Sequence, residues 1–332
     1  MEKLLSHIAH LEIASPDVEA SAEFYEKHFG LRIVDRIDGA VYLRCWGDHY
    51  RYSLVVREGA APALTRMAWR TQSAEALEVA AARVQESGIE GTWVDSGNGH
   101  GRAFEFVGPF GHPVRLLWEL ERFEAESEFA SIYPDRPEKR SSHAAAPRFL
   151  DHVTIASTDV DGFAEWHRDV LGFRLMARTQ LDDTNVSVFS VLTTNEKSHD
   201  LGVVLDHSTT PGRVNHIAFW VDTHEELLIT ADVLMENGTP MEHGPGVHGI
   251  GEQQYLYFRE PSGLRVELNS GGYRNYVPDW EANTWTPSAG GSNFYRNAPI
   301  PDSIFQSFPA ANGLTATEEG IHPDMYAALV IS

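Results

Sequence analysis

Along HVTIAS, from His152, apolar and polar positions alternate, so Val153 and Ile155 share one strand face while His152 and Thr154 share the other. The period then lengthens to that of a helix. Phe163, Trp166 and Val170 form an apolar stripe, Asp159 is placed to cap its first turn, and Gly172 suits a left-handed stop. The same succession opens at His10. HLEIASPDVEASAEFYEKHFGLRIV aligns without a gap on HVTIASTDVDGFAEWHRDVLGFRLM at an offset of 142 residues, with ten of 25 positions identical. A repeat of this kind governs the whole fold.

Two more pairs of segments match in the same order. RMAWRTQSAEAL, from Arg66, parallels HIAFWVDTHEEL, from His216, each a strand followed by a helix. Thr223 with Glu226 three residues later is a capping-box pattern, and Gly238 ends that helix. FEFVGPFGHPVRLLWE, from Phe104, parallels YLYFREPSGLRVELN, from Tyr255, each two alternating runs about a Pro-x-Gly turn and therefore a hairpin. Each half thus holds two related units of strand, helix and further strands, which predicts an α+β chain of two domains, residues 1–122 and 149–272. Residues 123–148, with YPDRPEKRSSHAAAP, are polar and proline-interrupted and are expected to be a linker. Residues 273–332 carry Tyr273, Tyr276, Trp280, Trp285, Phe294 and Tyr295 without a clear period. They are expected to wrap the second domain as a tail.

Composition narrows the partners. The 332 residues hold 48 acidic against 26 basic side chains, a formal charge of -22 that repels phosphate backbones and anionic lipid. Nucleic acid and membrane are therefore not expected partners. Cys45 is the only cysteine, which rules out an intrachain disulfide framework and a thiolate metal cluster. No run approaches the ~18 consecutive apolar residues of a membrane span, and the first residues lack a signal-peptide core, so a cytoplasmic location is expected. The unusual count is histidine, at 16.

From Gly246 to Glu267 the chain reads GVHGIGEQQYLYFREPSGLRVE. The order Gly-x-His, a spacer, Leu-Tyr, Glu-Pro-x-Gly and a final Glu resembles the signature of type I extradiol dioxygenases of the vicinal-oxygen-chelate superfamily. LDHVTI around His152 and VNHIAFWV around His216 extend the likeness, and GGYRNYVPDWEANTWT resembles the ending of the catechol 2,3-dioxygenase branch. The resemblance implies paired βαβββ units, each pair curling a mixed sheet into an open barrel. It implies a metal held only in the C-terminal barrel, by His152, His216 and Glu267. That metal would be Fe(II), with Mn(II) as the variant the same donors suit. It further implies His199 at the O2 site, His248 as acid and base, Tyr257 as a hydrogen-bond donor to the catecholate, and a homo-oligomer. Substrates would be a catechol and O2, and the product of catechol itself 2-hydroxymuconate semialdehyde. Relatives acting on homoprotocatechuate carry an arginine where this chain has His243, which favours a neutral monocyclic catechol, alkyl- or halogen-substituted, with bicyclic catechols as the alternative.

The residues carry part of this by themselves. Two imidazoles and a carboxylate on one face leave three positions of a divalent ion open, enough for a chelating catecholate and O2. In strand alternation His216, Ala218 and Trp220 oppose Ile217, Phe219 and Val221, and Glu267 opposes Leu264, Val266 and Leu268. A hairpin centred on Ser262 puts Tyr257 across from Glu267. The N-terminal copy has His10, Arg66 and Arg115 at the three ligand positions, and two cations cannot hold a metal. Read singly, each histidine is more often a hydrogen-bonded structural residue, and His207, His224 and His243 are expected at the surface or in a pocket wall. An isomerase or thiol transferase on the same scaffold would need a carboxylate from the first half, where Arg115 stands. A drug-sequestering protein would not need the triad.

Overall fold

The computed structural model describes residues 3–141, 146–208, 210–291 and 300–310. Phe294 and Tyr295 lie outside them. The first unit runs β1 (Leu5–Ser15), α1 (Val18–Glu23), β2 (Arg32–Ile37), β3 (Ala40–Arg44) and β4 (Leu54–Glu58). The second runs β5 (Ala63–Thr71), α2 (Ala74–Glu86), β6 (Gly91–Val94), β7 (Ala103–Val107) and β8 (Pro113–Leu117). The C-terminal half repeats the plan with β9 (Phe149–Ser157), α3 (Val160–Leu171), β10 (Arg174–Gln180), β11 (Ser187–Thr193) and β12 (Leu201–Leu205). Its second unit is β13 (Val214–Trp220), α4 (His224–Glu236), β14 (Met241–Val247), β15 (Gln253–Arg259) and β16 (Arg265–Gly271), and β17 (Asn283–Trp285) follows.

Each half forms one mixed sheet, in the orders 2-3-4-1-5-8-7-6 and 14-15-16-13-9-12-11-10-17. The two units of a half meet through an antiparallel pair of their first strands, β1 with β5 and β9 with β13. This is the paired βαβββ architecture expected from the sequence. Local signals hold as read: Asp159 accepts from the Gly162 amide at 2.8 Å, and Gly172 closes α3 at φ +78°. The Thr223 amide donates to Glu226 Oε2 at 2.9 Å at the start of α4.

The halves are not separate globules on a string. The apolar strand faces and the helices pack into one core, with Phe29 edge-on to Phe219 at 5.2 Å, Trp69 to Phe173 at 5.0 Å, and α2 lying against α3. The segment expected to be a linker is also pinned: Glu138 is buried between Arg32 and Arg44. Beyond residue 272, β17 adds a parallel strand beside β10, and Trp280 Nε1 donates to Met176 O at 3.0 Å. The sequence carried no signal for that strand. No helix among the described residues is long and apolar enough to cross a membrane.

Two core histidines give this fold a pH signature. His167 stacks on Phe163 at 3.9 Å and donates to Phe163 O, and His112 meets the edge of the same ring. Burial lowers them to about 3 and about 4 respectively. Unfolded, both titrate near 6.5, so as pH falls below that value the unfolded chain gains protons that the folded chain refuses. Stability is therefore lost between pH 6.5 and 4, by up to about 1.4 kcal/mol per pH unit for each group. Melting followed by calorimetry should show a lower Tm at pH 5 than at pH 6.5, with a shallower slope in His167→Leu. An unchanged Tm across that window would contradict the assignment.

Candidate metal centre

Strands β9, β13 and β16 lie side by side, with β13 antiparallel to β9 and parallel to β16. Ala218 of β13 pairs with His152 on one side and with Glu267 on the other. Its small side chain leaves room between them, and His216, two residues earlier, points to the same face. The three side chains converge in a buried position. His152 Nε2 lies 3.2 Å from His216 Nε2 and 3.1 Å from Glu267 Oε2, and His216 Nε2 lies 3.0 Å from that same oxygen.

The other imidazole nitrogens are already committed. Asp151 Oδ2 lies 2.8 Å from His152 Nδ1, and Asn215 Oδ1 lies 2.8 Å from His216 Nδ1. The Asn215 amide nitrogen faces two carbonyls, Ile304 O at 2.9 Å and Gln306 O at 3.2 Å, which fixes its orientation. Both partners of the imidazoles are therefore acceptors, both Nδ1 atoms carry protons, and both Nε2 atoms face inward. Two inward nitrogens and a carboxylate oxygen need positive charge between them. Burial opposes a charge on His152, but Glu267 and Asp151 outweigh burial and raise it to about 9. Burial holds His216 at about 4, and the two imidazoles keep the Glu267 carboxyl well below its usual range against the cost of its own burial. Bonds of about 2.1 Å meeting at right angles put donor atoms about 3.0 Å apart. The observed separations match that spacing, so the donor set fits a divalent ion bound through one triangular face. Glu267 Oε1, the oxygen outside this triangle, is buried 3.9 Å from His248 Nε2.

Asp151 and Asn215 were not singled out by the sequence, because strand alternation assigns both to the apolar face. Each is the extra residue of a bulge in the β9–β13 ladder, which passes from Ala218–His152 to Phe219–Leu150 and from Val214–Ile155 to His216–Thr154. Bulges re-aim side chains, and here they turn a carboxylate and an amide onto the neighbouring imidazoles. The available signal was a polar residue breaking an apolar alternation just before a candidate ligand. Lys197 Nζ, 2.9 Å from Asp151 Oδ1, balances the buried carboxylate.

Three further residues singled out in the sequence line the same cavity. Tyr257 pairs across the hairpin with Glu267, as the turn register predicted, and its hydroxyl lies 3.0 Å from His248 Nε2. His248 stacks on Tyr255 at 4.0 Å, and the Tyr255 hydroxyl meets His243 Nε2 at 2.8 Å. His199 lies against His152, ring centres 4.3 Å apart, with Nδ1 3.3 Å from Ser198 Oγ. Burial, then the charge on His152, holds His199 well below its usual range, and burial beside Glu267 raises Tyr257 well above 10. Both are neutral near pH 7. His243 is in the pocket wall and His207 is exposed.

The sequence profile described as Glyoxalase/Bleomycin resistance protein/Dioxygenase superfamily matches residues 7–116 and again 149–268. The chain belongs to that superfamily. It is 32% identical over 285 residues, 85% of this chain and 90% of the other, to a manganese-dependent 2,3-dihydroxybiphenyl 1,2-dioxygenase of Geobacillus genomosp. 3. It is 30% identical over 302 residues to a metapyrocatechase of Geobacillus stearothermophilus, covering 90% of this chain and 92% of that one. The 2,3-dioxygenase LapB of Pseudomonas sp. KL28 superposes with a TM-score of 0.78 at 25% identity, over 86% of this chain and 99% of LapB.

The superfamily repeat lets the N-terminal half serve as an internal comparison. Its first strands carry the same two bulges, at Ala9 and Thr65, where the C-terminal half has Asp151 and Asn215. Arg66, Arg115 and Glu105 occupy the register positions of His216, Glu267 and Tyr257. These guanidinium groups close on Glu12 and Glu105 at 2.6–3.1 Å, and His10 lies beside them. Charge pairs inside the protein fill the place where the other half gathers inward-facing donors.

Proposed function

We propose that this chain is an oxidoreductase that cleaves a catechol ring with O2 beside its hydroxylated carbons, using Fe(II) held by His152, His216 and Glu267. The observation that carries the reading is the triangle of inward donors 3.0–3.2 Å apart with its outer nitrogens tied down by Asp151 and Asn215. Dioxygenase relatives over nearly the whole chain support it. Catalysis is assigned to residues 149–272, while residues 1–122 hold no metal. Manganese is the second reading for the ion, since one relative is named for it and the donors suit both.

Bound there, the ion would acidify a catechol hydroxyl and let electrons pass from ring to O2. The residues around it handle protons and exclude water. Tyr257, neutral beside the carboxylate, is placed to donate to a catecholate oxygen, and His248, 3.0 Å from that hydroxyl, is placed to take and return the catechol's proton. His199, neutral against His152 on another side, can hydrogen-bond charge that develops on the oxygen molecule. The expected product from catechol is 2-hydroxymuconate semialdehyde, with both oxygen atoms incorporated.

The rest of the cavity argues for the substituent. Its walls are Val188, Phe189, Val191, Val204, Ile250 and, from the segment after residue 300, Ile300, Ile304 and Phe305. No lysine or arginine is among the described lining residues. An apolar ring substituent is stabilised there, whereas a carboxylate would be buried without a lysine or arginine to pair it, at a cost of several kcal/mol. With Fe(II) loaded anaerobically, air and a substrate panel, catechol and alkylcatechols should give yellow ring-fission products. A carboxylated catechol should have a kcat/KM at least about a hundredfold lower. Colourless intradiol product, or no turnover across the panel, would contradict the proposal.

A further inference from the structure

We infer that Asn215 is a positioning residue that couples the metal ligand His216 to the strap of chain, residues 300–310, that roofs the cavity. The inference rests on the reading of His216 as a ligand. Asn215 is buried, 5% exposed, and its one amide spans two structures. Its oxygen accepts from His216 Nδ1, and its nitrogen donates to Ile304 O and Gln306 O. Ile304 and its neighbour Phe305 form cavity wall. Arg265 reinforces the same junction, donating to Asn215 O at 3.0 Å and to Gln306 O at 2.9 Å.

The strap cannot lift without consequence for the ligand. Moving Ile304 and Gln306 away either leaves the buried Asn215 amide nitrogen unpaired or draws the amide with it, which takes Oδ1 off His216. The other imidazole is insulated from this movement. Asp151, its partner, is held by Gln253 and Asn269 of β15 and β16 and by Lys197 of the β11–β12 connection, none of them in the strap. One ligand is thus fixed by the sheet and the other shares its anchor with the roof. Linkage is reciprocal: an ion that fixes the His216 ring steadies the strap, and a strap closed over a ring substituent steadies His216 for the ion.

The test uses the full chain, metal-free and with Mn(II), following hydrogen exchange at the amides of Ile304, Gln306 and Phe308 and Mn(II) affinity by electron paramagnetic resonance. In the wild type Mn(II) should slow exchange at these amides by about tenfold, within the range of coupled sites. Asn215→Asp still accepts from His216 but faces the two carbonyls with an oxygen. It should keep Mn(II) binding and lose the metal-dependent protection. Asn215→Leu keeps neither link; it should lose the protection and bind Mn(II) about tenfold more weakly or worse. Wild-type protection in both variants overturns the inference, as does Mn(II) binding to the wild type with no change at the strap. Failure of the wild type to bind either Mn(II) or, loaded anaerobically, Fe(II) overturns the metal reading itself and this inference with it.

Discussion

His216→Ala is expected to give a folded protein that retains no stoichiometric metal and forms no ring-fission product. Removing the side chain deletes one corner of a three-donor face. The remaining imidazole and carboxylate must then hold the ion against water, with Asn215 left facing an empty space. Losing only an outer partner of a ligand costs about 10–100-fold in metal affinity, and losing the ligand itself should exceed that. Stability is affected little, because His216 faces the cavity while Ile217 and Phe219 keep their places in the core. Metal analysis after anaerobic loading, with circular dichroism as the control for folding, checks this. A variant that keeps one metal per chain and wild-type turnover would contradict the assignment.

His248→Asn is expected to separate chemistry from metal binding. His248 Nε2 is 3.9 Å from Glu267 Oε1 and 3.0 Å from the Tyr257 hydroxyl, close enough to the centre to move a proton yet outside the triangle of donors. Positioned acid–base groups contribute about 10²–10⁴-fold. The variant should therefore bind metal and catechol as the wild type does while kcat falls by about that factor. Tyr257→Phe removes the donor of the same pair and should lower kcat with metal content intact. Steady-state kinetics on samples of measured metal content distinguish the outcomes: an unchanged kcat, or a loss that tracks missing metal, would remove His248 from the chemistry.

Much of the site was legible because its logic is local. Two-residue alternation is enough to turn His152, His216 and Glu267 to one face, and the Pro-x-Gly turn sets a register that brings Tyr257 opposite Glu267. The duplicated segments likewise expose the four units and the N-terminal half's arginines. The features that escaped are set by contacts distant in sequence. Asp151 and Asn215 reach their imidazoles only through bulges, which belong to the pairing of β9 with β13 and not to either strand alone. Phe29 and Phe219, both read as apolar, give no hint that they meet across the two halves in one core. Glu138 looks like linker charge until Arg32 and Arg44 enclose it, and Ile304 and Phe305 acquire a role only where the chain crosses the cavity.

The most direct measurement is anomalous diffraction at the iron edge from crystals loaded anaerobically with Fe(II) and soaked with catechol. One ion should lie about 2.1 Å from His152 Nε2, His216 Nε2 and a Glu267 carboxylate oxygen, with both catechol oxygens on the opposite side. An iron peak elsewhere, or those three donors still hydrogen-bonded to one another with iron present in solution, would contradict the account.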